Sequence, residues 1–150
     1  ASTRTWAFGG QTWSDAIHVP GCNKTSFTNS YTGPQCRSYT KNGKTRYYYN
    51  WAYVNINKNR LCPLPWRVPT KNDLDSLVGN TSDEAFIAAW GYGGFIESDV
   101  IYDEHSYAYY WSFTMVSSYI SNAYYLLYPS RNMRVRAYDK RLGFQVRCLR

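Results

Sequence analysis

Four cysteines, Cys22, Cys36, Cys62 and Cys148, constrain this chain more than any other feature. No CxxC pair is present and the chain has only two histidines, so zinc-ligand spacing is lacking. An even count in a chain rich in Tyr, Ser and Asn points to disulfides and an oxidising compartment. Four cysteines allow three pairings. Pairing Cys22 with Cys36 spans a turn-rich stretch containing Thr32-Gly33-Pro34, and pairing Cys62 with Cys148 closes a long loop. In the chain-entropy account each such bridge contributes ~3–4.5 kcal/mol, more for the longer loop. The alternative is a set of four reduced core thiols.

The length of 150 residues fits one domain, and 44% hydrophobic residues exclude a disordered chain. No apolar run approaches the ~18 residues a membrane-spanning helix needs. The opening residues, Ala1 to Trp6, do not read as a signal peptide. Charge is laid out in blocks. Residues 1–71 hold ten Lys/Arg against Asp15 alone, residues 72–130 hold eight acids and no Lys or Arg, and residues 131–150 hold seven Lys/Arg against Asp139. Either the acidic middle packs beside the basic ends and neutralises them, or the basic ends form a nucleic-acid surface.

Along the chain, residues 1–21 read as short strands around Gly9-Gly10, and residues 22–45 as loop. The aromatic run from Tyr47 to Val54 reads as a strand. Pro63, Pro65 and Pro69 exclude regular structure from 63 to 69. Thr70 with Asp73 three residues on begins a helix carrying Leu74, Leu77 and Val78 on one face, with Gly79 as its stop. Thr81 with Glu84 begins a second helix, ended by Gly91. Tyr109 to Phe113, Ala123 to Tyr128 and Phe144 to Leu149 read as strands. Strands and loops, two helices, then antiparallel strands make an α+β domain.

Nothing in the chain assembles an enzyme. GxSxG, HExxH and a Gly-rich phosphate loop are all missing. His105, beside Asp103 and Glu104, reads as a solvated loop residue, and His18 has no partner in sequence. Asp99, Asp103 and Glu104 offer oxygen ligands, but their spacing matches no calcium loop. Neither a metal nor a cofactor is expected.

The informative stretch is 105–142. Its Tyr, Ser, Asn, Arg, Met, Val and Ile follow neither a two-residue nor a 3.6-residue period cleanly. Arg131-Asn132-Met133-Arg134-Val135-Arg136-Ala137-Tyr138-Asp139 alternates large apolar and basic groups. This is the composition of a paratope: Tyr gives contact area at low entropy cost, Ser and Asn give adaptable hydrogen bonds, and Arg anchors. A tyrosine-rich sheet whose side chains cover a thin core has the same composition.

Several motifs occur together and in order. Cys62-Pro63-Leu64-Pro65-Trp66-Arg67-Val68-Pro69-Thr70 resembles the CPxGWRVPT element of the Fibrobacter succinogenes major paralogous domain family. Gln11-Thr12-Trp13 resembles its GGQxW, Tyr49-Asn50-Trp51 its YNW, Tyr110-Trp111-Ser112-Phe113-Thr114 its YWSST, and Gly143-Phe144-Gln145-Val146-Arg147-Cys148 its GFSVRC. Pro65 stands where Gly is usual, and Phe113 replaces the second Ser of YWSST. The resemblance implies a C-type-lectin-like fold with two helices and a small antiparallel sheet, on a surface or secreted bacterial protein, and favours the Cys62–Cys148 bridge. The unpatterned stretch between Trp111 and the closing motif resembles the variable region of diversity-generating retroelement variable proteins, bacterial or phage. In that group a lectin-like scaffold displays mutated positions as a ligand surface. The calcium motifs EPN, QPD and WND of sugar-reading lectins are absent.

The chain is therefore expected to be a single lectin-like domain over 1–150, bridged Cys22–Cys36 and Cys62–Cys148, with a ligand-display segment at about 107–141. Trp66, Trp111 and Phe144 are expected in the core. Tyr107, Tyr109, Phe113, Met115, Tyr119, Tyr128, Arg131, Met133, Arg134, Arg136, Tyr138 and Asp139 are expected at the surface on one face, with Tyr109 and Tyr128 the two most prone to turn inward. The expected partner is a protein or cell-surface ligand, met outside the cell or on a phage particle, with no specific nucleic acid and no membrane span. The competing readings are a structural surface domain without an evolved site and a nucleic-acid binder using the basic C-terminal segment.

Overall fold

The two chain ends meet in one sheet. Strand β2 (Gln11–Asp15) pairs antiparallel with β1 (Thr5–Phe8) on one side and with β10 (Arg147–Leu149) on the other. The computed structural model describes residues 4–8, 10–17, 22–80, 82, 84–85, 90–116, 119–129 and 133–150. The Cys62–Cys148 disulfide ties the middle of the chain to β10, and Cys22 is joined to Cys36. Both bridges are those expected from the sequence.

Strands β3 (Cys36–Lys41) and β4 (Lys44–Tyr49) form a hairpin within and beyond the expected loop. Its turn is Asn42-Gly43, with φ at 53° and 76°. Asn and Gly tolerate this left-handed backbone, and a tight two-residue turn matches the twist of the strands it joins. The aromatic run after it is not one strand. Asn50 ends β4 and caps helix α1 (Trp51–Leu61), its side-chain oxygen accepting the Tyr53 N–H at 3.0 Å. One capping side chain thus overrides the strand preference of the flanking aromatics.

Helix α2 (Lys71–Asn80) begins as the sequence indicates. The Thr70 N–H donates to the Asp73 carboxylate at 2.8 Å while the Asp73 N–H donates to Thr70 Oγ1 at 3.3 Å. The second helix expected from Thr81 falls mostly on residues 81, 83 and 86–89, outside the described residues. No helix or extended strand occupies 63–69. A short hairpin follows, β5 (Phe95–Glu97) with β6 (Val100–Tyr102).

The largest sheet has the order β7 (Tyr107–Val116), β8 (Tyr119–Pro129), β9 (Arg134–Asp139). Strand β9 was not read as a strand, and its residues, all half-buried or exposed, carry no clean two-residue alternation of buried and solvated positions. One face of this sheet meets α1 and the closing segment. There Phe144 is fully buried, with ring centroids 4.2 Å from Trp111, 4.8 Å from Tyr125 and 5.1 Å from Tyr109. The other face meets α2, where Leu74 and Leu77 pack with Ala108, Tyr110, Trp90 and Met133. The domain is α+β, with two helices and small antiparallel sheets among the described residues, held by two disulfides.

The charge blocks do pair in part. Arg67 bonds Asp73, Lys71 reaches Asp75 at 2.8 Å, and Glu104 takes Arg46 at 2.7 Å and Lys41 at 3.4 Å. Acids of the middle segment thus lie against bases of the first.

Candidate functional site

Register decides which of the unpatterned side chains share a face. Trp111, Tyr125 and Arg136 stand in one cross-strand row, and Met115, Ala123 and Tyr138 in a neighbouring one. Cross-strand partners project from the same face. The register shift between Trp111 and Met115 sets four residues of β7 against two of β8. An even shift keeps Met115 on the Trp111 face; a single-residue slip would have moved it to the other. Along each row burial gives way to exposure. Trp111, Tyr125 and Ala123 are buried, whereas Arg136 is exposed, Met115 is 50% exposed and Tyr138 is 54% exposed.

Beside this rim lies a groove of about 600 Å³, lined in part by Tyr31, Trp51, Ala52, Ile56, Met115 and Lys140. It joins four separate parts of the chain, and hydrogen bonds bring several of them together. Asn50 is fully buried, and its amide nitrogen donates to the Ser30 carbonyl at 3.0 Å and the Gly33 carbonyl at 2.8 Å. Its side-chain oxygen also accepts the Gln35 N–H at 2.9 Å. The residue that caps α1 therefore also holds the loop carrying Tyr31 over the start of that helix. Trp51 closes the floor: its indole N–H donates to the Ser112 carbonyl at 3.0 Å, and its backbone N–H to the Lys140 carbonyl at 3.0 Å.

Three cations lie over aromatic rings around this groove. The Lys140 ammonium is 4.4 Å from the Trp51 ring centroid and 3.1 Å from Met115 Sδ. Lys58 is 4.2 Å from the Phe113 ring, and the Arg141 guanidinium is 4.7 Å from the Tyr31 ring. Phe113 is itself stacked on Trp51 at 5.9 Å. Such pairs stabilise a cation beside an apolar surface. Burial pushes the Lys140 ammonium below its ordinary pKa. Asp139, the acid closest in sequence, is held by Arg141, with its carboxylate accepting at 2.7 Å.

The twelve expected surface residues divide. Met115, Arg136 and Tyr138 are exposed on the shared face, and Arg134 joins them half-buried, opposite Leu127. Phe113 is half-buried beneath Lys58, and Tyr107 is half-buried against the core. Asp139 is half-buried in its pair with Arg141. Two expectations of exposure are corrected. Tyr109 is buried between Phe95, Tyr125 and Phe144, with its hydroxyl donating to Asp103 at 2.7 Å. Met133 is 4% exposed, on the opposite side of the sheet with α2. The side chains of Tyr119 and Tyr128, and all of Arg131, lie outside the described residues. Of the expected core residues, Trp111 and Phe144 are fully buried, while Trp66 is half-buried with Arg150 over its ring at 4.7 Å.

Other polar clusters are already engaged. Asp99 accepts the Phe27 N–H at 2.6 Å, Asp103 accepts from Tyr109, and Glu104 is paired with Arg46. His105 is an exposed turn residue. Arg147 is buried in a cage of Trp6, Trp90 and Tyr110, at 5.1 to 5.6 Å from their centroids. That arginine is structural and does not face the groove.

Tyr31, Trp51, Ile56 and Lys140 were not legible as site residues. Ile56 left one signal, an aliphatic residue among Asn and Lys on α1, where it is 63% exposed. No protein-family model, curated protein or solved structure matches the chain.

Proposed function

We propose that this domain is a ligand-binding protein of receptor or adhesin type, displaying a diversified surface on a C-type-lectin-like scaffold. The observation that carries the reading is the division along single cross-strand rows. Buried Trp111, Tyr125 and Ala123 continue directly into exposed Arg136, Tyr138 and Met115 beside an open groove. Such a rim can change its side chains while the interior stays fixed. Aromatic, Met and Arg side chains around a concave floor are the composition of interface anchors. The disulfides fit an extracellular or cell-surface setting, and no described helix is long and apolar enough to cross a membrane.

The test is binding in the native setting. The parent domain and a triple variant, Met115→Ala, Arg136→Ala and Tyr138→Ala, are incubated with proteins from the surroundings of its host, and partners are identified by crosslinking and mass spectrometry. The reading expects one partner held by the parent and lost by the variant at matched melting temperature. A partner held equally by both would place the binding elsewhere. No partner held by the parent would favour a structural surface domain.

A further inference from the structure

The chemistry of the groove goes further than its position. It has an apolar floor and walls of Trp51, Ala52, Ile56 and Met115, and of its lining residues one is a cation and none is an acid. That cation, Lys140, is 6% exposed, with its ammonium at the groove between Trp51 and Met115. Lys58 and Arg141 lie over neighbouring rings, and Arg136 is exposed one row away. Asp139 is taken by Arg141, which Glu97 also attracts, so the cations that would meet a ligand are Lys140, Lys58 and Arg136. A ligand matched to this arrangement brings an apolar side chain for the floor and negative charge for the rim.

We infer that the groove takes an acidic peptide segment of a protein partner, with one aliphatic or aromatic side chain seated against Ile56 and Met115 and a flanking carboxylate at Lys140. The inference rests on the ligand-display reading and names its partner class. A partly desolvated ammonium gains more from a carboxylate than a solvated one does, because less water must be removed when the pair forms. Single-stranded nucleic acid also meets cations and aromatics, but it needs open ring faces for base stacking. Here Phe113 and Lys140 lie over Trp51, and Arg141 lies over Tyr31.

The chain supplies its own reporter. It has two methionines, Met115 in the groove and Met133 buried on the far side of the sheet. With carbon-13-labelled methionine methyls, the domain is titrated with a pool of hexapeptides carrying Leu, Ile or Phe between Asp and Glu residues. A pool with Lys and Arg in place of the acids, an acidic pool with Ser in place of the apolar residue, and a ten-nucleotide oligothymidine are controls. The expected result is a saturable shift of the Met115 signal with the first pool only, at least tenfold weaker with each control, and no movement of Met133. Lys140→Gln should weaken the response at least tenfold. Ile56→Asp, at an exposed helix position, should abolish it, and the Met133 signal reports that each variant keeps its fold.

A Met115 signal unmoved by the acidic pool, or moved equally by the basic pool, overturns the inference. A shift with oligothymidine alone assigns the groove to nucleic acid instead. A shift that grows with protein concentration, without peptide, assigns it to a second copy of this chain. Should the acidic pool fail while the triple variant still loses a native partner, the partner class is wrong and the display reading stands.

Discussion

Trp51 and Trp111 each donate an indole N–H to the backbone beside the other. The Trp51 indole donates to Ser112, next to Trp111, at 3.0 Å, and the Trp111 indole donates to Tyr49, two residues before Trp51, at 2.7 Å. The pair fixes the start of α1 against the central row of β7. Trp111→Ala, which empties the site beside Phe144, is expected to cost ~3–5 kcal/mol in denaturant unfolding. Trp51→Phe keeps most of the ring but removes the donor to a buried carbonyl, and is expected to cost ~1–3 kcal/mol.

Asn50 joins cap, loop and groove. Asn50→Ala removes one helix cap, worth ~0.5–2 kcal/mol, and the donors to the Ser30 and Gly33 carbonyls. A loss of ~2–4 kcal/mol is expected from the cap and these buried acceptors together. Hydrogen exchange at the Gln35 amide, which donates to Asn50, should accelerate more than exchange at Leu74 in α2. Equal acceleration at both would mean general loosening and not release of the loop.

The bridges should differ in worth. Their sequence separations are 14 for Cys22–Cys36 and 86 for Cys62–Cys148. Loop-closure entropy predicts ~3 kcal/mol for the first and ~4.5 kcal/mol for the second. Replacing each pair by Ala and comparing melting temperatures checks the order, with the Cys62–Cys148 variant the less stable.

Acid should weaken the Arg67–Asp73 corner. Partial burial pushes the Asp73 carboxyl up, but hydrogen bonds from Arg67 and from the Thr70 N–H and hydroxyl outweigh it and hold the group below its ordinary range. A carboxyl lowered on folding contributes stability above its unfolded pKa, ~3.9, and loses it as pH falls through the folded value. The stability difference between parent and Asp73→Asn should therefore be largest near neutrality and shrink below pH ~3.9.

The elements most legible in the sequence were those with local signals. Helix α2 declared itself through Thr70, Asp73 and its leucines, and β7 and β8 through aromatic and β-branched runs. The β3–β4 hairpin carried its signal in Asn42-Gly43 and α1 carried its own in Asn50, but loop-like composition and aromatic strand preference outweighed them. In β9, every residue is half-buried or exposed, so no alternation of buried and solvated positions marked the strand. The candidate site was half legible. Met115, Arg136 and Tyr138 come from the segment that composition picked out, whereas Tyr31, Trp51 and Ile56 reach the groove only through tertiary hydrogen bonds and packing. Met133 shows the limit of composition: it sits among arginines in sequence yet packs with α2.

The central claim, a variable rim on a fixed interior, is tested most directly by sequencing sibling copies of the gene and its surrounding locus. The account predicts differences confined to about 107–141 and falling on Phe113, Met115, Arg136 and Tyr138, with Trp51, Trp111 and Phe144 unchanged, beside a near-identical template repeat and a reverse-transcriptase gene. Differences spread evenly along the chain, or a rim as constant as the core with no template nearby, would contradict it.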